Sequence, residues 1–326
     1  MALGGGHGLA NSLRALRRVT DRLTAVVTVA DDGGSSGRLR AELGVLPPGD
    51  LRMALAALCG GDEWGHTWSG VLQHRFAGEG SLHGHAVGNL LIVALWERLG
   101  GNPVAALDLV GRLLGAHGRV LPMSLVPLDI AATVVGVDPQ APDDTSEVHG
   151  QVAVATTKGT VAGIRLVPDR PPACAEALAA VRAADWVVLG PGSWFTSVLP
   201  HLLVPDLLAA LVASPARRMV VLNLAPQAGE TDGFSPETHL EVLAAHAPEL
   251  RLDVVLADPG TVADPELLAR AADSFGARLV IAPVGVHDGA PQHDPDRLAD
   301  AYAAVFASES GHRREELGGA AGLRIR

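Results

Sequence analysis

Cysteine is almost missing from this 326-residue chain: Cys59 and Cys174 are too few for a disulfide framework or a cysteine-built zinc site. That usage suits a reducing compartment, and a cytoplasmic location is the expectation. Aromatic residues make up only 3%, and Lys158 is the single lysine. Leu, Val and Ala must therefore fill the core, and the alanine excess makes helix-former content a weak guide to helices. Long apolar runs are scarce too. The most apolar stretch, Ala86 to Trp96, is broken by Gly88 and Asn89 and falls far short of the roughly 20 residues a membrane helix requires, so no bilayer span is expected. The basic-then-apolar layout of a signal peptide is also missing, and export is not expected. Positive charge is in deficit, 25 Lys and Arg against 36 Asp and Glu, for a net charge of -11. That sign disfavours a general nucleic-acid or anionic-membrane surface, while leaving room for a local pocket that holds a small anion.

What is present is ordinary globular usage, 48% hydrophobic and 19% charged. Short β-branched runs alternate with longer helical stretches, the pattern of parallel strands joined by crossover helices. Strands are expected at Thr24 to Ala30, Val152 to Thr156, Trp186 to Leu189, Met219 to Leu224, Leu252 to Leu256 and Leu279 to Ala282. Helices are expected at Leu9 to Val19, Asp50 to Leu58, His85 to Leu99, Val104 to Gly115, Pro172 to Ala184, Pro205 to Ala213, Pro236 to Ala247 and Asp264 to Phe275. The fold class is α/β: a Rossmann-like, mostly parallel sheet with helices on both faces and a small β insertion. The expected layout is one domain over 1–310, a β-rich insertion near 119–163 and a flexible C-terminal tail over 311–326. Only Met1, Ala2 and Leu3 precede the first glycine turn, so the first strand reads as clipped, or as starting upstream.

Five loops could carry chemistry. Gly4-Gly5-Gly6-His7-Gly8-Leu9 opens a helix; its glycines let backbone N–H groups approach a phosphate, and the helix terminus adds positive potential. Leu9 occupies the third glycine position of the strict dinucleotide fingerprint, which counts against a nicotinamide oxidoreductase. Read alone, such a turn is equally a tight helix–sheet connection. Asp31-Asp32-Gly33-Gly34-Ser35-Ser36-Gly37-Arg38 follows a strand where a ribose-binding acid is placed, and its carboxylates suit a ribose or a hydrated Mg²⁺. The same residue types also make a plain turn and helix cap. In Pro47-Pro48-Gly49-Asp50-Leu51-Arg52, Asp50 reads as a cap and Arg52 as a cation in an unfavourable first turn, seeking an anion or pairing with Asp50 or Asp62. Gly190-Pro191-Gly192-Ser193-Trp194-Phe195-Thr196-Ser197 repeats the strand, glycine turn and hydroxyls of the first loop. Ser193, Thr196 and Ser197 suit phosphate or sugar, while Trp194 and Phe195 read as core. The stretch Asn223 to Gly233, with Gln227, Glu230 and Asp232, would fall on the same sheet edge or be an ordinary loop. His66, His74, His83 and His85 lack metallohydrolase spacing; His85 sits beside Gly88 and Asn89 as a polar contact candidate. No Walker A lysine occurs, and neither P-loop nor α/β-hydrolase chemistry is expected.

Taken in order, the Gly4–Leu9, Thr28–Arg38 and Pro47–Arg52 segments, then Gly84-His85-Ala86-Val87-Gly88-Asn89-Leu90 and Gly190-Pro191-Gly192-Ser193, resemble the gluconeogenesis factor family. The likeness continues through Asn223 and Gly229-Glu230-Thr231 to His293-Asp294-Pro295, nearly the whole chain. That family is related to the 2-phospho-L-lactate transferase of deazaflavin coenzyme biosynthesis, which uses a guanosine diphospho-lactate donor. The resemblance implies a nucleotide-diphosphate cleft that binds UDP-sugars, UDP-N-acetylglucosamine above all, in support of cell shape and wall synthesis on gluconeogenic carbon. It also implies cell-wall synthesis proteins and a Ser/Thr kinase as partners, a homo-oligomer as an option, and no required cofactor. On this reading Gly5, Gly6, His7 and Gly8 with Gly190, Gly192 and Ser193 hold the diphosphate, assisted by Thr196, Ser197 and Asn223. Asp31 and Asp32, with Gly33, Gly34 and Ser35, face the ribose or a Mg²⁺ and are the catalytic candidates; Arg52, His85 and Asn89 close the pocket. The alternative is a phosphotransferase of the 2-phospho-L-lactate transferase type. Against it, the transferase branch carries a differently composed acidic loop and Asn-Pro where this chain has Gly-Ser.

Overall fold

The computed structural model describes residues 1–321 other than Pro139, Pro142 and Ala228, with the backbone alone over 309–321. Among the described residues ten strands form in chain order: β1 (Ala2–Gly4), β2 (Thr24–Val27), β3 (Arg119–Pro122), β4 (Asp129–Val135), β5 (Thr145–His149), β6 (Thr160–Val167), β7 (Trp186–Leu189), β8 (Arg217–Val221), β9 (Val254–Ala257) and β10 (Arg278–Ile281). Seven make one parallel sheet in the order β10-β9-β8-β7-β1-β2-β3. Its strands are buried at consecutive positions, as Val254–Ala257 illustrates, so helices cover both faces. The short β1 lies inside the sheet between β7 and β2, with Ala2 opposite both Ala25 and Val188. Strand order runs outward in opposite directions from the β1–β7 pair. That reversal opens a crevice at the carboxyl ends of those two strands, where ligands bind in open α/β sheets.

Helix limits follow local chemistry. Asn102 accepts the Ala105 N–H at 3.0 Å to start Pro103–Leu114, and Gly115 stops it at φ 60°, a left-handed conformation suited to glycine. Asp264 caps Pro265–Asp273 through the Glu266 and Leu267 N–H groups. Three helices go beyond the sequence expectation: Gly34–Leu43, Glu63–Gln73 and Pro295–Ala321. The last carries helical backbone from 311 to 321, where a frayed tail was expected; residues 322–326 lie outside the described residues. Among the described residues no single helix is long and apolar enough to cross a membrane.

Two expectations need correction. Arg119–Pro122 is not part of the insertion but the outer strand of the main sheet, paired with β2; the antiparallel insertion is β5-β4-β6, over 129–167. The stretch Val152 to Thr156, expected as a strand, is the helix Gln151–Ala155. Its alternating valines mimic a strand, but Asp32 Oδ1 accepts the Val152 N–H at 3.0 Å and starts the helix from a residue 120 positions away. A tertiary cap outweighs β propensity here.

Candidate functional site

The two glycine turns meet at the β1–β7 crevice. Helix Gly6–Leu16 begins immediately after β1, and the N–H groups of its first turn have no intrahelical acceptor. No acidic residue sits in that turn, so its partial positive charge is uncompensated from within. A Cβ at Gly8 would collide with the Pro191 carbonyl and Gly192 Cα, so only glycine lets the helix approach the β7 turn this closely. A cavity of about 470 Å³ opens here, lined by Gly5, Gly6, His7, Gly8, Gly192 and Ser193, and also by Asn11, Asn223 and His293.

The β7 turn contributes less than expected. Asn223 Oδ1 accepts the Gly192 N–H at 3.0 Å and Asn223 Nδ2 donates to the Gly192 carbonyl at 2.8 Å. Gly192 is therefore clamped within the protein and its N–H is not free for a phosphate. Gly190, at φ 74°, turns the chain but lines neither chamber of the cleft. Trp194 and Phe195 are fully buried, as core residues.

The acidic pair divides. Asp31 Oδ1 accepts the Gly33 N–H at 2.9 Å while its other oxygen lies against Gly49. Asp32 turns the other way, to Val152 and Gly150. The two thus accept from different backbone groups, and among the described residues no group of three or more His, Cys, Asp or Glu could hold a metal ion. Gly34, at φ 46°, starts the Gly34–Leu43 helix.

Ser35, Arg52, His85 and Asn89 do come together, as one buried network. Ser35 Oγ receives the Asn89 Nδ2 proton at 3.0 Å and lies 3.0 Å from His85 Nδ1; Arg52 Nε donates to Asn89 Oδ1 at 2.8 Å. Arg52 thus finds Asn89 rather than Asp62. Burial and then Arg75 push its guanidinium down to about 10, against the pull of Asp50 and Asp31, so it stays protonated at neutral pH. Burial and Arg38 hold the His85 imidazole below its ordinary value. Gly33-Gly34-Ser35-Ser36-Gly37 does match the G-x-S-x-G spacing of a hydrolase elbow, contrary to expectation. Ser35 is nevertheless 3% exposed, lines neither chamber and has its oxygen committed to Asn89 and the Ala86 N–H, so it acts as a latch rather than a nucleophile. Replacing Asn89 by leucine strands Arg52 and Ser35 and is expected to cost about 2 to 5 kcal/mol, read as a lowered urea midpoint at unchanged slope.

Two carboxyl groups escaped the sequence reading as site residues. Asp50 is 8% exposed and its Oδ2 has no hydrogen-bond partner. Burial, reinforced by Asp31, pushes it up to about 7, against the opposing Gly6 N–H and Arg52. Glu230 is 4% exposed and accepts from Ser193 at 2.5 Å; burial raises it, against its bonds from Ser193 and Thr196. Ser193 also bonds Thr196. With Ser197, these residues wall a side chamber of about 300 Å³ that shares Gly6, Ser193 and Ser197 with the main cavity. The available signals were Asp50 directly after the Pro47-Pro48-Gly49 turn and Glu230 between Gly229 and Thr231. A third cavity, about 420 Å³, lies by Met1, Leu23 and Trp186 and holds none of the expected site residues.

Residues 1–281 match the family model described as 2-phospho-L-lactate transferase CofD. A Mycobacterium tuberculosis protein of the gluconeogenesis factor group is 54% identical over 314 residues, covering 95% of this chain and 91% of its own. The gluconeogenesis factor of Listeria innocua is 33% identical, covering 96% and 97%. A Bacillus halodurans protein of the UPF0052 family superposes with a TM-score of 0.80 at 30% identity, covering 92% of this chain and 96% of that one.

Proposed function

From the premise that the chain belongs to the CofD family, among its gluconeogenesis factors, we propose that it binds a nucleotide diphosphate sugar, UDP-N-acetylglucosamine, as a regulator. In this role it couples the supply of wall precursor to cell shape and wall synthesis during growth on gluconeogenic carbon, from the cytoplasm, with wall-synthesis proteins and a Ser/Thr kinase as partners. The observation that carries the reading is the acid-free first turn of Gly6–Leu16, aimed into a cavity of about 470 Å³ at the strand-order reversal. The His7 and Gly8 N–H groups would receive the diphosphate, with the Ser197 hydroxyl beside it, whereas the Ser193 hydroxyl, expected to hold it, donates its proton to Glu230. Among the described residues no Asp or Glu lines this main cavity, which suits an anion.

One observation favours a second reading, transfer of a phosphorylated group from a nucleotide donor: the Asp50 carboxyl, pushed up to about 7, lines the adjoining side chamber and could take a proton from an acceptor hydroxyl held there. Titration calorimetry with UDP-N-acetylglucosamine tests the first reading. Incubation with a guanosine diphospho-lactate donor and candidate acceptor alcohols tests the second. Binding in the micromolar range with no nucleotide release supports the regulator. Absence of binding to any nucleotide diphosphate overturns both.

A further inference from the structure

We propose that the side chamber walled by Asp50, Glu230, Thr196 and the Gln151–Ala155 helix is a second subsite, taking a neutral group rich in hydroxyl or amide N–H donors carried at the far end of the diphosphate. This rests on the nucleotide-diphosphate reading of the main cavity. The two chambers touch through Gly6, Ser193 and Ser197, so one ligand can occupy both. Their linings have opposite character. Among the described residues, the main cavity is lined by backbone N–H groups and no carboxylate, whereas the side chamber has two buried carboxyl groups and no Lys or Arg. A second anion would find no basic side chain to balance it there.

A donor-bearing group finds acceptors instead. Asp50 Oδ2 is buried without a partner, and a buried acceptor in that state calls for a donor. Glu230 is held in place by Ser193 at 2.5 Å, so its carboxylate is aimed before a ligand arrives. The volume, about 300 Å³, accommodates a single ring rather than a chain. Val152, 51% exposed, is part of the lining, so a larger side chain there can be introduced without disturbing the core.

The test compares UDP-N-acetylglucosamine, UDP and UDP-glucuronic acid by calorimetry on the full chain. The wild type is expected to bind UDP-N-acetylglucosamine at least about tenfold more tightly than either UDP or the charged sugar. Glu230→Gln should reduce its preference over UDP about tenfold and shrink the penalty against the glucuronate. Val152→Trp, placed on an exposed position so that the core is untouched, should abolish the preference by filling the chamber. Equal affinity of the wild type for UDP and UDP-N-acetylglucosamine overturns the proposal, as does a preference that survives both substitutions. Failure of the wild type to bind UDP at all is a different result: it removes the nucleotide reading and the subsite with it.

Discussion

Replacing Gly8 by alanine is expected to weaken UDP-sugar binding at least about a hundredfold. The added methyl has nowhere to go: the Pro191 carbonyl and Gly192 Cα occupy its position, and both are backbone. Flexible side chains could yield, but a turn clamped by Asn223 cannot, so the Gly6–Leu16 helix must shift outward and carry its free N–H groups off target. A displacement near 1 Å is enough for an effect on the order of a hundredfold. Gly70→Ala is the matched control, because a Cβ there meets nothing within 4 Å in the middle of Glu63–Gln73. It should leave affinity unchanged and stabilise the fold by about 0.5 to 1 kcal/mol through helix propensity. Calorimetry and thermal melts on the two variants separate a lost approach from a general glycine effect.

Asp50→Asn is expected to stabilise the protein at pH 8 and to do nothing at pH 4. The carboxyl titrates near 3.8 when unfolded and is pushed up to about 7 by burial and Asp31 in the fold. Between those values the folded chain holds a proton that the unfolded chain has released, so stability falls as pH rises from about 4 to about 7 and stays low above. The span corresponds to as much as about 4 kcal/mol. Asparagine keeps the acceptor for the Gly6 N–H and removes the buried charge. His201 and His293, both held near 4 by burial, act in the opposite sense, losing stability as pH drops from 6.5 towards 4. The wild-type profile alone therefore mixes the two, and the difference between wild type and Asp50→Asn isolates the carboxyl. A difference in melting temperature that is constant from pH 4 to pH 8 would show that Asp50 is not raised.

The parallel sheet was legible because β7 and β9 are apolar at every position, a pattern only strands covered on both faces maintain. The glycine turns were legible for a similar reason: few residues other than glycine permit backbone to meet backbone, so Gly8 marks its own close contact. What escaped was set by partners remote in sequence. Gln151–Ala155 is helical because of Asp32, and nothing local to its valines says so. Asp50 reads as a plain cap until the Gly5–Gly6 turn buries it, and Glu230 reads as a loop acid until Ser193 folds against it. Gly192 misled in the opposite direction, since its glycine turn advertises a free N–H that Asn223 has already taken.

That clamp has a bearing on exchange. On the proposed reading, with one bank of the crevice rigid and self-satisfied, an incoming phosphate would be gripped chiefly from the opposite bank, by the leading amides of a single helix. Its departure would force no rearrangement of the β7 turn, so occupancy could track the free concentration of the small molecule from moment to moment, as a gauge of supply requires.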